Sequence, residues 1–109
     1  VIEEGAIVNN SIIMNGTVVG KGTVIDKAII AENVVIGAGC NIGVGEEVPN
    51  KLRPDIYGFG LVTIGEDSVI PDNVTIGKNT AISGVTELSD YVNGWLPGGE
   101  NIMKAGELL

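Results

Sequence analysis

The sequence predicts an all-β fold in which short strands coil along the three sides of a narrow, parallel stack. Three observations carry this prediction: aliphatic residues recur at a fixed interval, glycine is abundant, and aromatic residues are scarce. The chain has 109 residues, of which 17 are Gly and only four are Phe, Trp or Tyr, while 44% are hydrophobic. A core built without rings must be filled by aliphatic side chains, and a glycine-rich backbone turns often, so many short strands are favoured over long helices in a single domain.

The repeat appears when the sequence is compared with itself at an offset of 17 residues. Ile2 then falls on Val19, and Val19 falls on Ile36. Two further sets behave in the same way, namely Val8, Ile25 and Ile42, and then Ile13 and Ile30. The aliphatic positions within one repeat are spaced 6, 5 and 6 residues apart, and a second stretch keeps a spacing of six through Ile64, Ile70, Ile76 and Ile82. Each repeat therefore predicts one coil with three nearly equal sides.

Each side has the same internal order of residue types. An aliphatic residue comes first, often followed by glycine, and a small or β-branched residue stands at the fifth place, as in Val19–Thr23, Ile36–Cys40 and Ile64–Ser68. We expect the first and fifth side chains to point inward, the glycines to permit the corners, and successive coils to stack about 4.8 Å apart. This predicts one interior column of Ile2, Val19 and Ile36, a buried structural role for Cys40, and about five coils.

Two segments interrupt the repeat, and all four aromatic residues lie in them. The first is an inserted loop, residues 44–61, and the second is a tail, residues 85–109. A narrow coil has no room for rings, so we expect them to pack outside it or over an open end. The predicted organisation is a β-helix domain at residues 1–84 and a tail at 85–109 that acts as a cap or flap, with a partner-docking surface as the alternative.

Composition excludes several functions. The chain has no His and one Cys, which removes His-based acid/base catalysis, imidazole metal ligation and an intrachain disulfide. A net charge of −8 disfavours nucleic acid as a partner. No apolar run is long enough to predict a membrane span and no signal peptide is present, so a cytoplasmic location is expected.

Two runs carry a more specific resemblance, Val24–Gly37 and, after the inserted loop, Gly60–Pro71. They resemble the C-terminal β-helix domain of bacterial glucose-1-phosphate adenylyltransferases, over about residues 1–84. The resemblance implies a left-handed coil and a parent enzyme that joins ATP and glucose 1-phosphate, with Mg²⁺, to give ADP-glucose and pyrophosphate for glycogen synthesis. It places catalysis on an N-terminal domain, and because Val1 begins directly in the repeat without Met, we expect this chain to be an inactive fragment that lacks that domain. Its implied role is to hold a homotetramer together and to regulate it allosterically.

Regulation by a phosphorylated sugar or nucleotide effector would need cations. The chain has six basic residues, and the candidates are Lys51 and Arg53 in the inserted loop and Lys27 at an outward position. The alternative for each is an ordinary solvated or ion-paired surface group. Some relatives carry a basic residue near the position of Glu66, which is acidic here. We predict no catalytic, cofactor-binding or metal-binding residue in this chain.

Three other functions remain open at this stage. The parent could be a non-catalytic regulatory subunit or another sugar-nucleotide pyrophosphorylase. A hexapeptide acyltransferase shares the fold, but those enzymes usually depend on a catalytic His, and this sequence contains none.

Overall fold

The computed structural model describes residues 1–104, and within them nearly all regular structure is β-strand. The strands are β1 (Ile7–Asn9), β2 (Ile12–Ile13), β3 (Val18–Val19), β4 (Val24–Asp26), β5 (Ala28–Ile30), β6 (Val35–Ile36), β7 (Asn41–Val44), β8 (Val62–Ile64), β9 (Val69–Ile70), β10 (Thr75–Gly77), β11 (Thr80–Ser83), β12 (Trp95–Leu96) and β13 (Asn101–Met103). A single-turn 3₁₀ helix, Leu88–Asp90, stands between β11 and β12. The predicted all-β class is confirmed, and no helix among these residues is long and apolar enough to cross a membrane.

The strands form three sheets that the chain visits in turn. The first sheet has the order β1-β4-β7-β10-β12, the second β2-β5-β8-β11-β13, and the third β3-β6-β9. Neighbours within each sheet are parallel. From β1 through β11, each strand pairs with the strand that comes three later in the chain. The fold is therefore a three-sided parallel β-helix, as the repeat predicts, and its left-handed sense stays a prediction.

The interior is built from columns of aliphatic side chains. Bridges pair Ile2 with Val19, Val19 with Ile36 and Ile36 with Ile70, which confirms the predicted column and continues it by one coil. The other two columns are Val8, Ile25, Ile42, Ile76 and Leu96, and Ile13, Ile30, Ile64, Ile82 and Ile102. The largest fully buried side chains are all Ile or Val. Strand alternation accounts for this, since one side chain in two faces inward.

The fifth positions also point inward, and their polar members are satisfied. Thr23 is fully buried, and its hydroxyl donates to the Gly37 carbonyl at 2.7 Å and accepts from the Cys40 amide at 3.1 Å. The Thr17 hydroxyl donates to the carbonyl of Ala31 in the same way. A buried hydroxyl without such partners would destabilise the core. Because these hydroxyls are hydrogen-bonded, the threonines join successive coils without leaving a buried polar group unpaired.

The corners require a left-handed backbone, which glycine or asparagine supplies at most of them and Lys27 and Asp67 supply at two others. Gly22 and Gly39 have φ of 69° and 68°, and Asn73 takes the equivalent place one coil later with φ of 59°. Gly43, in a bulge of β7, has φ of 91°, and a Cβ there would overlap the carbonyl oxygen of Asp26. Glycine is therefore required at position 43 by close approach as well as by conformation.

The described part of the tail continues the stack beyond the predicted boundary at residue 84. β12 pairs with β10 and β13 pairs with β11, so Leu96 and Ile102 extend two of the interior columns. Tyr91 is buried in the core cluster of this last coil, whereas Trp95 is half-exposed. Residues 85–104 thus add a coil, because their apolar side chains recur in register despite the lost spacing. Residues 105–109 of the predicted tail lie outside the described residues.

Candidate functional site

The inserted loop leaves the β-helix at the corner between the first and second sheets. It follows β7 and returns at β8, where the Val62 amide donates to the Lys27 carbonyl at 3.0 Å and β8 pairs with β5. The pairing of strands in the second sheet therefore continues in register after the insertion. The loop projects from the corner directly beside Lys27 and packs against the later coils.

Three asparagines, Asn50, Asn79 and Asn101, hold the loop on those coils, and we call them the asparagine clamp. The Asn50 Nδ2 donates to the Asn79 carbonyl at 2.8 Å and to the Asn101 Oδ1 at 2.9 Å, and the Asn101 Nδ2 donates to the Asn50 Oδ1 at 3.2 Å. The Asn79 side chain accepts from the Gly60 amide at 2.8 Å and donates to the Val48 carbonyl at 3.0 Å. Asn50 and Asn79 are both buried. The clamp joins the start and the end of the loop to the fourth and fifth coils.

The asparagine clamp also fixes the backbone that carries the predicted effector residues. The amides of Leu52 and Arg53 donate to the Asn50 Oδ1 at 2.9 and 3.0 Å, and the Lys51 amide donates to the Gly99 carbonyl at 2.9 Å. An asparagine that accepts from amides two and three residues on forms an Asx turn. Lys51 and Arg53 therefore stand on a defined backbone although both are exposed.

Both loop cations have acidic partners at the surface. Lys51 Nζ pairs with Glu100, and an Arg53 terminal nitrogen lies 3.4 Å from the Asp55 Oδ2. The hydrogen bond from the Arg53 guanidinium lowers the pKa of Asp55. Lys27 is exposed at the base of the loop with φ of 52°, and no ion pair forms at its Nζ among residues 1–104. Lys51 and Arg53 thus lie together on the loop where it is held to the fourth and fifth coils, whereas Lys27 lies apart from them on the second coil, at the point where the loop returns.

Two open clefts flank the β-helix. A groove of about 300 Å³ beside the inserted loop is lined mainly by Val44, Val48, Trp95 and Pro97. A larger cleft of about 680 Å³ lies over the outer face of the second sheet and its corner with the third sheet, where Glu66 is among its lining residues. Among residues 1–104, no basic side chain lines either cleft, so neither cleft offers an anion the cations that Lys51 and Arg53 provide on the inserted loop.

The arrangement is suited to binding and offers little for covalent chemistry. Cys40 is buried, and burial is the main reason that the pKa of its thiol is raised, while its Sγ lies 3.2 Å from the Pro71 carbonyl. A reactive thiol needs exposure and a lowered pKa, so Cys40 is a core residue, as predicted. Within the part of the chain that the structure describes, no cluster of acidic or Cys side chains could hold a metal ion.

Sequence reasoning missed the asparagine clamp. Its members are separated by 29 and 22 positions in the sequence, which no repeat relates. A partial signal exists at Asn79, because asparagine tolerates a left-handed backbone and the matching corner residues of three other coils, Asn10, Lys27 and Gly99, also have positive φ. Nothing comparable marks Asn50 or Asn101, whose role depends on how the loop folds back.

Comparison with known proteins agrees with this architecture. The interior columns and three parallel sheets define the chain as a hexapeptide-repeat β-helix protein. The chain belongs to the family described as GlmU-like, C-terminal hexapeptide, which matches residues 1–57. No solved structure was found to match it.

Several curated relatives are similar to part of the chain. A glucose-1-phosphate adenylyltransferase of Lachnospira eligens is 67% identical over 64 residues, which are 59% of this chain and 15% of that protein. Proteins of the same name from Acetivibrio thermocellus and Thermotoga neapolitana are 36% and 39% identical over 64 residues, with the same coverage of each chain. The matched segment thus spans about 15% of the length of these relatives.

Proposed function

We propose that this chain is the C-terminal β-helix domain of a glucose-1-phosphate adenylyltransferase. The observation that carries the proposal is the 67% identity over 64 residues to a protein of that name, and the β-helix fold is consistent with it. The parent enzyme would join ATP and glucose 1-phosphate to give ADP-glucose and pyrophosphate, in the cytoplasm. Its catalytic groups and Mg²⁺ would belong to an N-terminal domain, to which this domain would be attached.

The proposed role of the β-helix is oligomerisation, to a homotetramer, and allosteric regulation. The loop corner supports an effector site because it places Lys51 and Arg53 on a backbone that is held by the asparagine clamp. Surface ion pairs such as those to Glu100 and Asp55 are typically worth only about 0–1 kcal/mol. A phosphorylated sugar or nucleotide offers stronger, multiply charged acceptors, so it would displace these carboxylates readily.

Formation of ADP-glucose tests the proposed function. We expect the full-length parent to make ADP-glucose from ATP and glucose 1-phosphate, and the isolated 109-residue chain to show no turnover. Activity with a different nucleotide or sugar phosphate would assign the parent to another pyrophosphorylase. A parent that is inactive with every such pair would favour the non-catalytic subunit, and turnover by the isolated chain would contradict the placement of catalysis elsewhere.

A double substitution tests the effector site within the active parent. Lys51→Ala with Arg53→Ala should raise the concentration of phosphorylated effector needed for half-maximal response, with little change in activity without effector. Lys21→Ala is the control, because Lys21 is an exposed lysine at a different corner. An unchanged effector response in the double variant would remove these two residues from the site. Sedimentation of the parent would test the homotetramer directly.

A further inference from the structure

A groove of about 300 Å³ lies where the inserted loop leaves the first sheet and meets the last coil, and the proposed function gives it no role. We call it the tryptophan groove. One wall comes from the end of β7 and the start of the loop, and the other comes from β12 and the turn that follows it. The first wall carries Val44, Glu46 and Val48, and the second carries Trp95, Pro97 and Gly98.

Both walls of the tryptophan groove are anchored to the β-helix. On the loop side, the Val48 carbonyl accepts from the Asn79 Nδ2 of the asparagine clamp at 3.0 Å. On the other side, Trp95 lies on β12, which pairs with β10. The two walls also touch each other, since a Cβ on Gly98 would lie 3.1 Å from the Glu46 carbonyl oxygen. A cleft whose walls are held in this way is preformed, which is typical of sites for small ligands.

Trp95 provides the groove with an aromatic surface. It is 51% exposed, whereas the next residue, Leu96, is buried, so the indole points outward from the first sheet. Among residues 1–104, it is the only aromatic residue that lines the groove. An indole offers a flat apolar face together with one polar N–H at its edge. Trp95 is therefore suited to a ligand that has a flat apolar face of its own.

Glu46 provides the groove with a hydrogen-bond acceptor. It is exposed, and no ion pair forms at its carboxylate within residues 1–104. A carboxylate accepts strong hydrogen bonds from hydroxyl groups. No basic side chain of the described residues lines the groove, and the chain has a net charge of −8. A phosphate or another anion would therefore be repelled.

Together these two residues select one class of ligand. A wholly apolar peptide would cover the Glu46 carboxylate without giving it a partner, which is unfavourable. An organic cation is typically bound by a cage of several aromatic rings, whereas Trp95 supplies one ring. A pyranose ring meets both requirements, because one of its faces carries only C–H groups while its rim carries hydroxyls. Its C–H face packs on the indole, and its hydroxyls donate to the carboxylate.

We propose that the tryptophan groove binds a neutral saccharide, with one pyranose ring stacked on Trp95 and its hydroxyls bonded to Glu46. This binding site goes beyond the proposed function and does not depend on it. The first sheet also has room for further sugar units, since Thr75 and Asn41 follow Trp95 in the same outward column, one on each preceding coil. Coils repeat at about 4.8 Å, which is close to the length of one hexose unit in an extended saccharide. Successive sugars along this column meet the Thr75 hydroxyl and the Asn41 amide.

Intrinsic fluorescence tests the proposal, because Trp95 is the only tryptophan of the chain. The chain is titrated separately with maltotriose and with cellotriose, two neutral saccharides that differ in linkage, and with choline as an organic cation. We expect a saturable change in Trp95 emission with at least one of the saccharides in the millimolar range, and no change with choline. Glu46→Ala should weaken the saccharide response about tenfold or more, because a hydrogen bond to a charged group is lost. Glu66→Ala is the matched control, since Glu66 lines the other cleft, and its response should match that of the unmodified chain.

A second measurement uses the full-length parent, so that the outcome does not depend on how the shorter chain folds. In a native gel, a soluble glucan of the preferred linkage should slow the migration of the parent, and Trp95→Ala should abolish this retardation. The proposal would be overturned by the absence of a saturable response to either saccharide, by retardation that survives Trp95→Ala, or by equal responses of Glu46→Ala and Glu66→Ala. A response to choline alone would identify an organic cation as the occupant and would overturn it as well.

Discussion

Asn50 is the centre of the asparagine clamp, and its replacement by alanine should release the inserted loop. Its Nδ2 donates to the Asn79 carbonyl and the Asn101 side chain, and its Oδ1 accepts from the amides of Leu52 and Arg53 and from Asn101. Asn50→Ala removes all five hydrogen bonds. Two of the lost partners are groups on the later coils, so the loop loses its side-chain attachment to them at this point.

The expected cost follows from how many of these partners water can reach. A typical hydrogen bond contributes about 1 kcal/mol net, and a buried group left without a partner costs about 1–3 kcal/mol. The Asn79 carbonyl is buried with Asn50, whereas the loop amides become hydrated once the loop opens. We therefore expect opening of the loop to become easier by about 2–3 kcal/mol, which is roughly a 30- to 150-fold increase in the open population.

Hydrogen exchange at amides that the substitution does not touch measures this release. The Lys51 amide bonds to the Gly99 carbonyl and the Gly60 amide to the Asn79 side chain, so both bonds remain possible in Asn50→Ala. Both amides should exchange about 30- to 150-fold faster, by the same arithmetic. Asn41→Ala is the control, because Asn41 is exposed on β7 and does not belong to the asparagine clamp. Unchanged exchange at Lys51 and Gly60 would show that Asn50 does not hold the loop on the later coils.

Two other substitutions test the core. Ile36→Asp should prevent folding, because it puts an unpaired carboxylate into an interior column, whereas Val35→Asp on the same strand should fold. If circular dichroism showed the two variants melting at similar temperatures, the assigned register would be wrong. Burial raises the pKa of Tyr91 from 10.0 to about 12, so the unfolded chain loses this proton first and stability should fall as pH rises above 10. Ultraviolet titration of a Tyr57→Phe variant, in which Tyr91 is the remaining tyrosine, should show a midpoint near 12, and a midpoint near 10 would contradict the burial of the ring.

The sequence predicts the parts of this fold that repeat. The column of Ile2, Val19 and Ile36 can be found because each coil places its own aliphatic residue against the one below, so a single offset reports the contact. The last coil cannot be predicted in this way. Leu96 and Ile102 continue two columns, but the residues between them and β11 include a 3₁₀ helix that destroys the spacing.

The loop corner is less predictable because its contacts are not between equivalent positions. The sequence indicates that cations at Lys51 and Arg53 lie outside the repeat, which the structure agrees with. It cannot indicate that Glu100 would reach Lys51, because this requires the tail to add a coil against which the loop packs. The outward valines of the third sheet are a contrasting case, since Val18 and Val35 lie one repeat apart and pair directly.

The strands return to their register after the inserted loop, and this has a practical consequence for protein engineering. β7 pairs with β10, and β8 pairs with β11, so the coils on either side are stacked as though the 44–61 segment were absent. Because the entropic cost of closing a loop rises only slowly with its length, the β-helix imposes little limit on what this corner carries. The corner is therefore a natural acceptor position for a grafted peptide, which a rigid stack of coils would display at a fixed height.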